Sequence, residues 1–356
     1  MKSRITEQAV LAALSKVQDP ELQRDLVSLN MVKDIKIEND QVSLTINLTT
    51  PACPLRSQIE SDATKAVKAI PGVGSVKIDM GASVPNDGRS RGMMQLPVRN
   101  AIAVGAGKGG VGKSTVAVNL AVSLAKSGAR VGLLDADIYG PNIPTMMGLD
   151  GLPPGGGEKI PPAEAYGVKV ISIGFMVQPG QAMIWRGPML HSAIRQFLGD
   201  VDWGELDYLI IDLPPGTGDA QLSLAQSIPL SGAVVVTLPQ DVSVEDANRA
   251  VAMFRAMNVP VLGVVENMSY LTLPDGTRME IFGSGGGERL AKAADVPFLG
   301  CIPMEADVRL GGDSGQPVVI SRPDSPSGAA LRAVSQAIAA RVSVAAITNV
   351  EANPAV

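Results

Sequence analysis

Residues 98–126 read VRNAIAVGAGKGGVGKSTVAVNLAVSLAK. An apolar run closes at Gly105, a glycine-rich loop follows, and beyond it apolar residues recur at helical spacing. Strand, loop and helix in that order are the context a phosphate-binding loop requires. Gly107, Lys108, Gly109, Gly110, Val111, Gly112, Lys113, Ser114 and Thr115 make up the loop motif. Its glycines let backbone N–H groups turn toward phosphates, and the positive end of the following helix stabilises their charge. Lys113 is expected to contact the β- and γ-phosphates, and Ser114 to offer its hydroxyl to Mg²⁺, a hard cation that takes oxygen ligands. A bare glycine-rich turn would explain neither flank.

Two further strand ends carry carboxylates. LIIDLPPGTGD, residues 209–219, closes an apolar run in Asp212, placed to hold Mg²⁺, and continues into a glycine-containing turn. LLDADIYGPN, residues 133–142, offers Asp135 and Asp137 at the carboxyl end of another run, the edge where ligands sit in open α/β sheets. Asp137 is a candidate for orienting the attacking water; a helix cap or a solvated turn carboxylate is the simpler alternative.

Around these motifs short apolar runs alternate with helical patterns: AIAVGAG, RVGLLDAD, VKVISIG, YLIIDLP, GAVVVTLP, VLGVVEN and FLGCIP. The alternation predicts βαβ units and an α/β, mostly parallel sheet over residues 98–345, with a frayed tail at 346–356. Residues 81–97, GASVPNDGRSRGMMQLP, have the composition of a flexible connection. Before them, 1–80 reads as a small α+β domain: a helix over 5–17, two alternating strands joined at Asn39-Asp40, an amphipathic helix over 54–69 and a third strand, VGSVKIDM.

Of the 356 residues 46% are hydrophobic and 18% charged, which excludes global disorder, and 3% are aromatic, leaving a core of aliphatic residues suited to buried parallel strands. The net charge of −5 with scattered Lys and Arg gives no basic patch for nucleic acid. No uninterrupted apolar run approaches the ~20 residues of a membrane span, and the N-terminus is too polar for a signal core. Cys53 and Cys301 are the only cysteines, which suits a reducing, cytoplasmic setting.

Lys108, the second lysine of KGGVGKST, resembles the signature of the deviant Walker A group that includes the ParA, MinD and nitrogenase iron-protein ATPases. The resemblance implies a sandwich homodimer in which Lys108 reaches the partner's nucleotide, an extra cation for charge developing in phosphoryl transfer. IWRGPM (184–189), DVDWGELDYLIIDLPPGTGD (200–219), TLPQDVSVEDA (237–247), VVENMSY (264–270) and IFGSGGGERLA (281–291) are similar to the Mrp/ApbC iron-sulfur cluster carriers. The small domain with TTPACPL, residues 49–55, resembles the one many bacterial members carry in front of the ATPase. The family likeness implies ATP and Mg²⁺ as ligands, Asn267 as an adenine contact, a homodimer, and iron-sulfur scaffold and apo client proteins as partners.

One departure stands out. Family members carry a Cys-x-x-Cys pair between the NMS and IFG segments, so that a dimer offers four thiolates to a [4Fe–4S] cluster. Here the stretch reads SYLTLPDGTRMEIFG, with neither cysteine. Cys53 remains as a candidate cluster ligand, since a helix N-terminus beside it favours the thiolate; a small buried cysteine is the alternative. Cys301, within the apolar run FLGCIP, is expected to pack in the sheet, and His191 is assigned no role. A nucleotide-gated scaffold without its own cluster, and a positioning ATPase like ParA or MinD, are the competing functions; the second expects a basic surface or a basic C-terminal amphipathic helix, and this chain ends ITNVEANPAV.

Overall fold

The computed structural model describes residues 5–87, 97–138, 140–155, 157–176, 187–218, 221–222 and 228–352. Linker residues 88–96, residues 184–186 of IWRGPM, Asp219 and the side chain of His191 lie outside that set. The chain divides into two compact units, Met1–Pro85 and Asn86–Val356.

The first unit runs α1 (Glu7–Leu14), a short antiparallel pair β1 (Gln18–Asp19) and β2 (Arg24–Asp25), then β3 (Val32–Glu38), β4 (Gln41–Leu48), α2 (Arg56–Lys68) and β5 (Ser75–Ala82). Thr6 caps α1 by accepting the Ala9 N–H at 3.2 Å. β3 and β4 form the hairpin, with Glu38 opposite Gln41 and Asn39 in the left-handed region at φ 57°. β5 joins β4 in parallel. Alternation in β4 sends Val42, Leu44, Ile46 and Leu48 to one side, where they bury against Val10, Leu14, Ile59, Ala63 and Val67 of the two helices.

The second unit is built on one sheet. Its strands are β6 (Val98–Gly105), β7 (Val131–Asp135), β8 (Ala163–Ala165), β9 (Val168–Ser172), β10 (Leu206–Asp212), β11 (Gly232–Thr237), β12 (Val261–Thr272), β13 (Arg278–Met279) and β14 (Phe298–Met304). The helices are α3 (Lys113–Lys126), α4 (Ile143–Met147), α5 (Gly187–Gly199), α6 (Asp241–Ala256), α7 (Gly286–Ala293), α8 (Ala306–Asp313), α9 (Val318–Ser321) and α10 (Pro326–Ala352). The order is β13-β12-β11-β6-β10-β7-β9-β8, with β14 paired to β12; every pairing is parallel except β12 with β13 and β8 with β9. Every residue of β10 and β11 is buried, as strands covered by helices on both faces must be. The seven strands expected from apolar runs are all present; β8 and β13, of three and two residues, are additional.

The last helix differs from expectation. α10 continues to Ala352, and its segment Pro326–Thr348 is long and apolar enough by length and composition to cross a membrane. Leu331, Val334, Ile338, Ala339 and Val342 are nevertheless buried, and the helix packs on α3 and β14, so its apolar character serves the core of this unit.

At the amino ends of the strands, Arg130 grips Asp207 through its backbone N–H at 2.9 Å, Nε at 3.2 Å and Nη2 at 3.0 Å, and Glu205 through Nη1 at 2.7 Å. Burial works to raise the Asp207 carboxyl, but Arg130 and then Arg99 hold it below its ordinary value. Arg130→Ala is expected to cost about 2 kcal/mol in urea unfolding. A carboxyl depressed in the fold contributes stability above its unfolded value of 3.8 and loses it as pH falls through the folded value, so the gap between variant and wild type should be full at pH 6 and shrink below 3.8.

Candidate functional site

The loop between β6 and α3 bends at Gly110 and Gly112, whose φ angles of 81° and 82° are left-handed conformations open to glycine at little cost. Asn267, on β12, fixes it from outside: its side-chain Nδ2 donates to the Val111 carbonyl at 2.9 Å. Lys113 opens α3 with its side chain only 6% exposed. Its Nζ lies 2.7 Å from Asp212 Oδ1 and 3.4 Å from Asp137 Oδ2. Ser114 Oγ donates to Asp212 Oδ2 at 2.5 Å, and Lys113 Nζ lies 3.3 Å from Ser114 Oγ. One buried cation thus stands between two carboxylates, one ending β10 and the other two residues beyond the end of β7.

Asp212 occupies the carboxyl end of β10, in register with Asp135 at the end of β7. Burial pushes the Asp212 carboxyl up, opposed by Lys113 and by the Ser114 hydroxyl. Burial, and after it repulsion from Asp212, pushes Asp135 up to about 7. An arriving triphosphate can take Lys113 from these carboxylates, while the Ser114 and Asp212 oxygens are the hard donors that suit Mg²⁺.

These groups open on a cavity of about 910 Å³. Lys108, Gly109, Gly110, Gly112, Lys113, Ser114, Thr115, Asp137 and Asn267 all line it. Its remaining wall comes from Asn142, Thr145 and Met146 around α4, Met268 and Leu271 of β12, and Pro303, Met304, Glu305, Val308 and Arg309 at the passage from β14 to α8. None of this second group was anticipated. The usable signal was position, since β14 ends at Met304 on the carboxyl edge of a parallel sheet.

Residues 97–339 match the family described as NUBPL iron-transfer P-loop NTPase, and residues 7–111 match the iron-sulfur cluster assembly protein family. The chain belongs to the iron-sulfur cluster carrier P-loop NTPases. The iron-sulfur cluster carrier protein of Synechocystis sp. is 54% identical over 355 residues, covering 96% of this chain and 99% of its own. That of Deinococcus radiodurans is 53% identical over 340 residues, covering 94% and 95%. Among solved structures, a nucleotide-binding protein from Archaeoglobus fulgidus in complex with ADP is 42% identical, with a TM-score of 0.55 over 62% of this chain and 88% of that one. The cell division ATPase MinD of Pyrococcus furiosus, 23% identical with a TM-score of 0.53 over 67% and 98%, shares the fold.

Against the carrier family's cargo, the two cysteines are unexpectedly placed. Cys53 is half-buried beside the core of the first unit. Burial pushes its thiol up to about 11, reinforced by Glu21 and Asp19, and the lowering by the Leu55 backbone at the start of α2 is too small to compensate. The thiolate expected from the helix N-terminus is therefore disfavoured, because desolvation outweighs the helix. Cys301 is corrected in the opposite sense: it lies on β14, which among the described residues pairs with β12 alone, and the residue is exposed, its Sγ 3.8 Å from Glu266 Oε1. Among the described residues no group of three His, Cys, Asp or Glu side chains is arranged to hold a metal ion.

Proposed function

We propose that this protein is a Mg²⁺-dependent ATPase that works in the cytoplasm as an ATP-bridged homodimer and passes iron-sulfur clusters to apoproteins. The observation that carries the reading is the buried Lys113, set between Asp212 and Asp137 beneath a glycine loop in a chain of the carrier family. Lys113 and the loop N–H groups hold the β- and γ-phosphates, and Ser114 and Asp212 hold Mg²⁺, which when bound neutralises phosphate charge. Asp137 orients a water toward the γ-phosphorus. Lys108, on the cavity wall, reaches the partner's nucleotide and stabilises the charge that develops there. Asn267 gives one of its two amide N–H donors to the Val111 carbonyl, and its oxygen is an acceptor suited to the exocyclic amine of adenine.

Dimer formation is tested by light scattering on Asp137→Asn protein loaded with Mg²⁺ and ATP. Twice the monomer mass is expected, and the monomer mass alone would sink the dimer. In the same assay series Lys108→Ala should lower turnover by about tenfold or more while changing ATP affinity much less.

The cargo poses a separate question. Cys53 and Cys301 form no Cys-x-x-Cys pair, and burial disfavours both thiolates, so thiols from scaffold or client proteins must complete the four-thiolate site that a [4Fe–4S] cluster takes. That observation also favours a second reading, a nucleotide-gated scaffold with no cluster of its own. Anaerobic reconstitution of wild type and Cys53→Ala, followed by iron and sulfide analysis, separates the two. Iron held by wild type and lost in Cys53→Ala supports carriage through Cys53; equal iron in both clears Cys53; no iron in either supports the scaffold.

A further inference from the structure

One rung of the sheet carries buried polar residues on three adjacent strands. Asp212 on β10 pairs with Asp135 on β7, and Asp135 pairs with Ser172 on β9; none of the three has exposed surface. Buried polar groups persist where they are hydrogen-bonded, and here the bonds converge on the Asp135 carboxylate. The Gly174 N–H donates to Ser172 Oγ at 2.9 Å, and Ser172 Oγ donates to Asp135 Oδ2 at 2.8 Å. Asp135 Oδ1 in turn accepts the N–H of Asp137 at 3.1 Å, and Oδ2 that of Ile143 at 3.4 Å. Asp135 therefore grips both ends of the loop that carries Asp137 past Lys113.

We infer that Ser172 is a positioning residue for hydrolysis, acting on Asp137 through Asp135; the inference rests on the role given above to Asp137. A carboxyl group turns easily about its last torsion, which is broad and two-fold. Ser172 removes that freedom by engaging one oxygen, which leaves the other aimed at the Asp137 N–H. Ser172 is hydrogen-bonded to Asp135 and Gly174 and not to the phosphate loop, Lys113 or Ser114, so its loss should fall on the rate more than on nucleotide binding. Misplacing a reacting group by about 1 Å can cost up to ~10²-fold in rate.

The test measures kcat for ATP, ATP affinity and melting temperature in the full chain for Ser172→Ala, Ser172→Thr, Asp137→Asn and the Ser172→Ala/Asp137→Asn pair. Ser172→Ala should lower kcat about tenfold with affinity within about twofold of wild type, and Ser172→Thr, which keeps the hydroxyl, should recover most of the loss. Placed on Asp137→Asn, Ser172→Ala should add no further loss of rate. Wild-type kcat in Ser172→Ala, parallel loss of kcat and affinity, or full additivity with Asp137→Asn would each overturn the inference. If Asp137→Asn itself turned over at the wild-type rate, the role of Asp137 would fall and that of Ser172 with it; if Asp137→Asn is impaired and Ser172→Ala is not, only Ser172 is cleared. The two failures are thus told apart, and the cycle decides even if the bulkier Thr is not accommodated.

Discussion

Lys113→Ala protein is expected to bind ATP poorly and to turn it over at least ~10²–10³-fold more slowly than wild type, the loss seen when a preorganised charge stabiliser is removed. The same substitution should have a second signature without nucleotide. Lys113 is the 2.7 Å partner of a carboxylate with no exposed surface, and removing one member of a buried ion pair typically costs about 3–5 kcal/mol. Asp212 can escape part of that cost by taking up a proton, because burial already raises its pKa and loss of Lys113 removes the main opposing charge. A carboxyl whose folded pKa lies above its unfolded value of 3.8 contributes stability that falls as pH rises through the interval between the two. The destabilisation of Lys113→Ala should therefore be small near pH 5 and grow toward pH 8, as read by urea unfolding. Wild-type turnover in the purified variant would place the activity elsewhere, and a pH-independent loss of stability would show that Asp212 is not left to titrate alone.

How far the site could be read from the chain depends on how local each part is. The phosphate loop lies within nine residues flanked by its own strand and helix, so GKGGVGKST carries its context with it. Asp212 and Asp137 close apolar runs and could be placed on the carboxyl edge without knowing the strand order. The cavity wall beside Asn267 is different. Pro303, Met304 and Val308 are unremarkable apolar residues, brought beside Asn267 only because β14 pairs with β12. Ser172 lies 37 residues from Asp135, and the register that makes them neighbours is a property of the folded sheet. The cysteines failed for the complementary reason. The local signal at Cys53, a helix start, was real but was outweighed by packing against residues far along the chain, and Cys301 sits in an apolar run that forms an edge. β8 and β13 were missed because two or three residues cannot display a period of two.

Of Gly107, Gly109 and Gly110, Gly107→Ala should be the most damaging, and the reason lies outside the loop. A Cβ at Gly107 would fall 2.1 Å from the carbonyl carbon and oxygen of Asp246 and 2.6 Å from the Ala247 nitrogen, all backbone atoms of α6. No side-chain rotation relieves such a contact, so either the helix or the loop must move. α6 is anchored by Ala247, Ala250, Val251 and Phe254, all buried in the main core, so the loop is the element that yields. Overpacking of this kind costs about 3 kcal/mol or more when backbone is displaced. Gly109, two residues on, provides the contrast: the nearest atoms to a Cβ there are Pro215 carbons at 3.9 Å, an ordinary contact, so Gly109→Ala should alter the stability of the nucleotide-free protein by less than about 1 kcal/mol. Gly110→Ala falls between them, since nothing obstructs its Cβ but its φ of 81° costs a side chain about 1–2 kcal/mol. Thermal unfolding of the three variants without nucleotide should rank them Gly109, Gly110, Gly107 in increasing loss, and ATP affinity should fall by about 10²-fold in Gly107→Ala as the displaced N–H groups miss the phosphates. A Gly107→Ala protein as stable as Gly109→Ala would mean that α6 and the loop do not meet as closely as their backbone atoms do here.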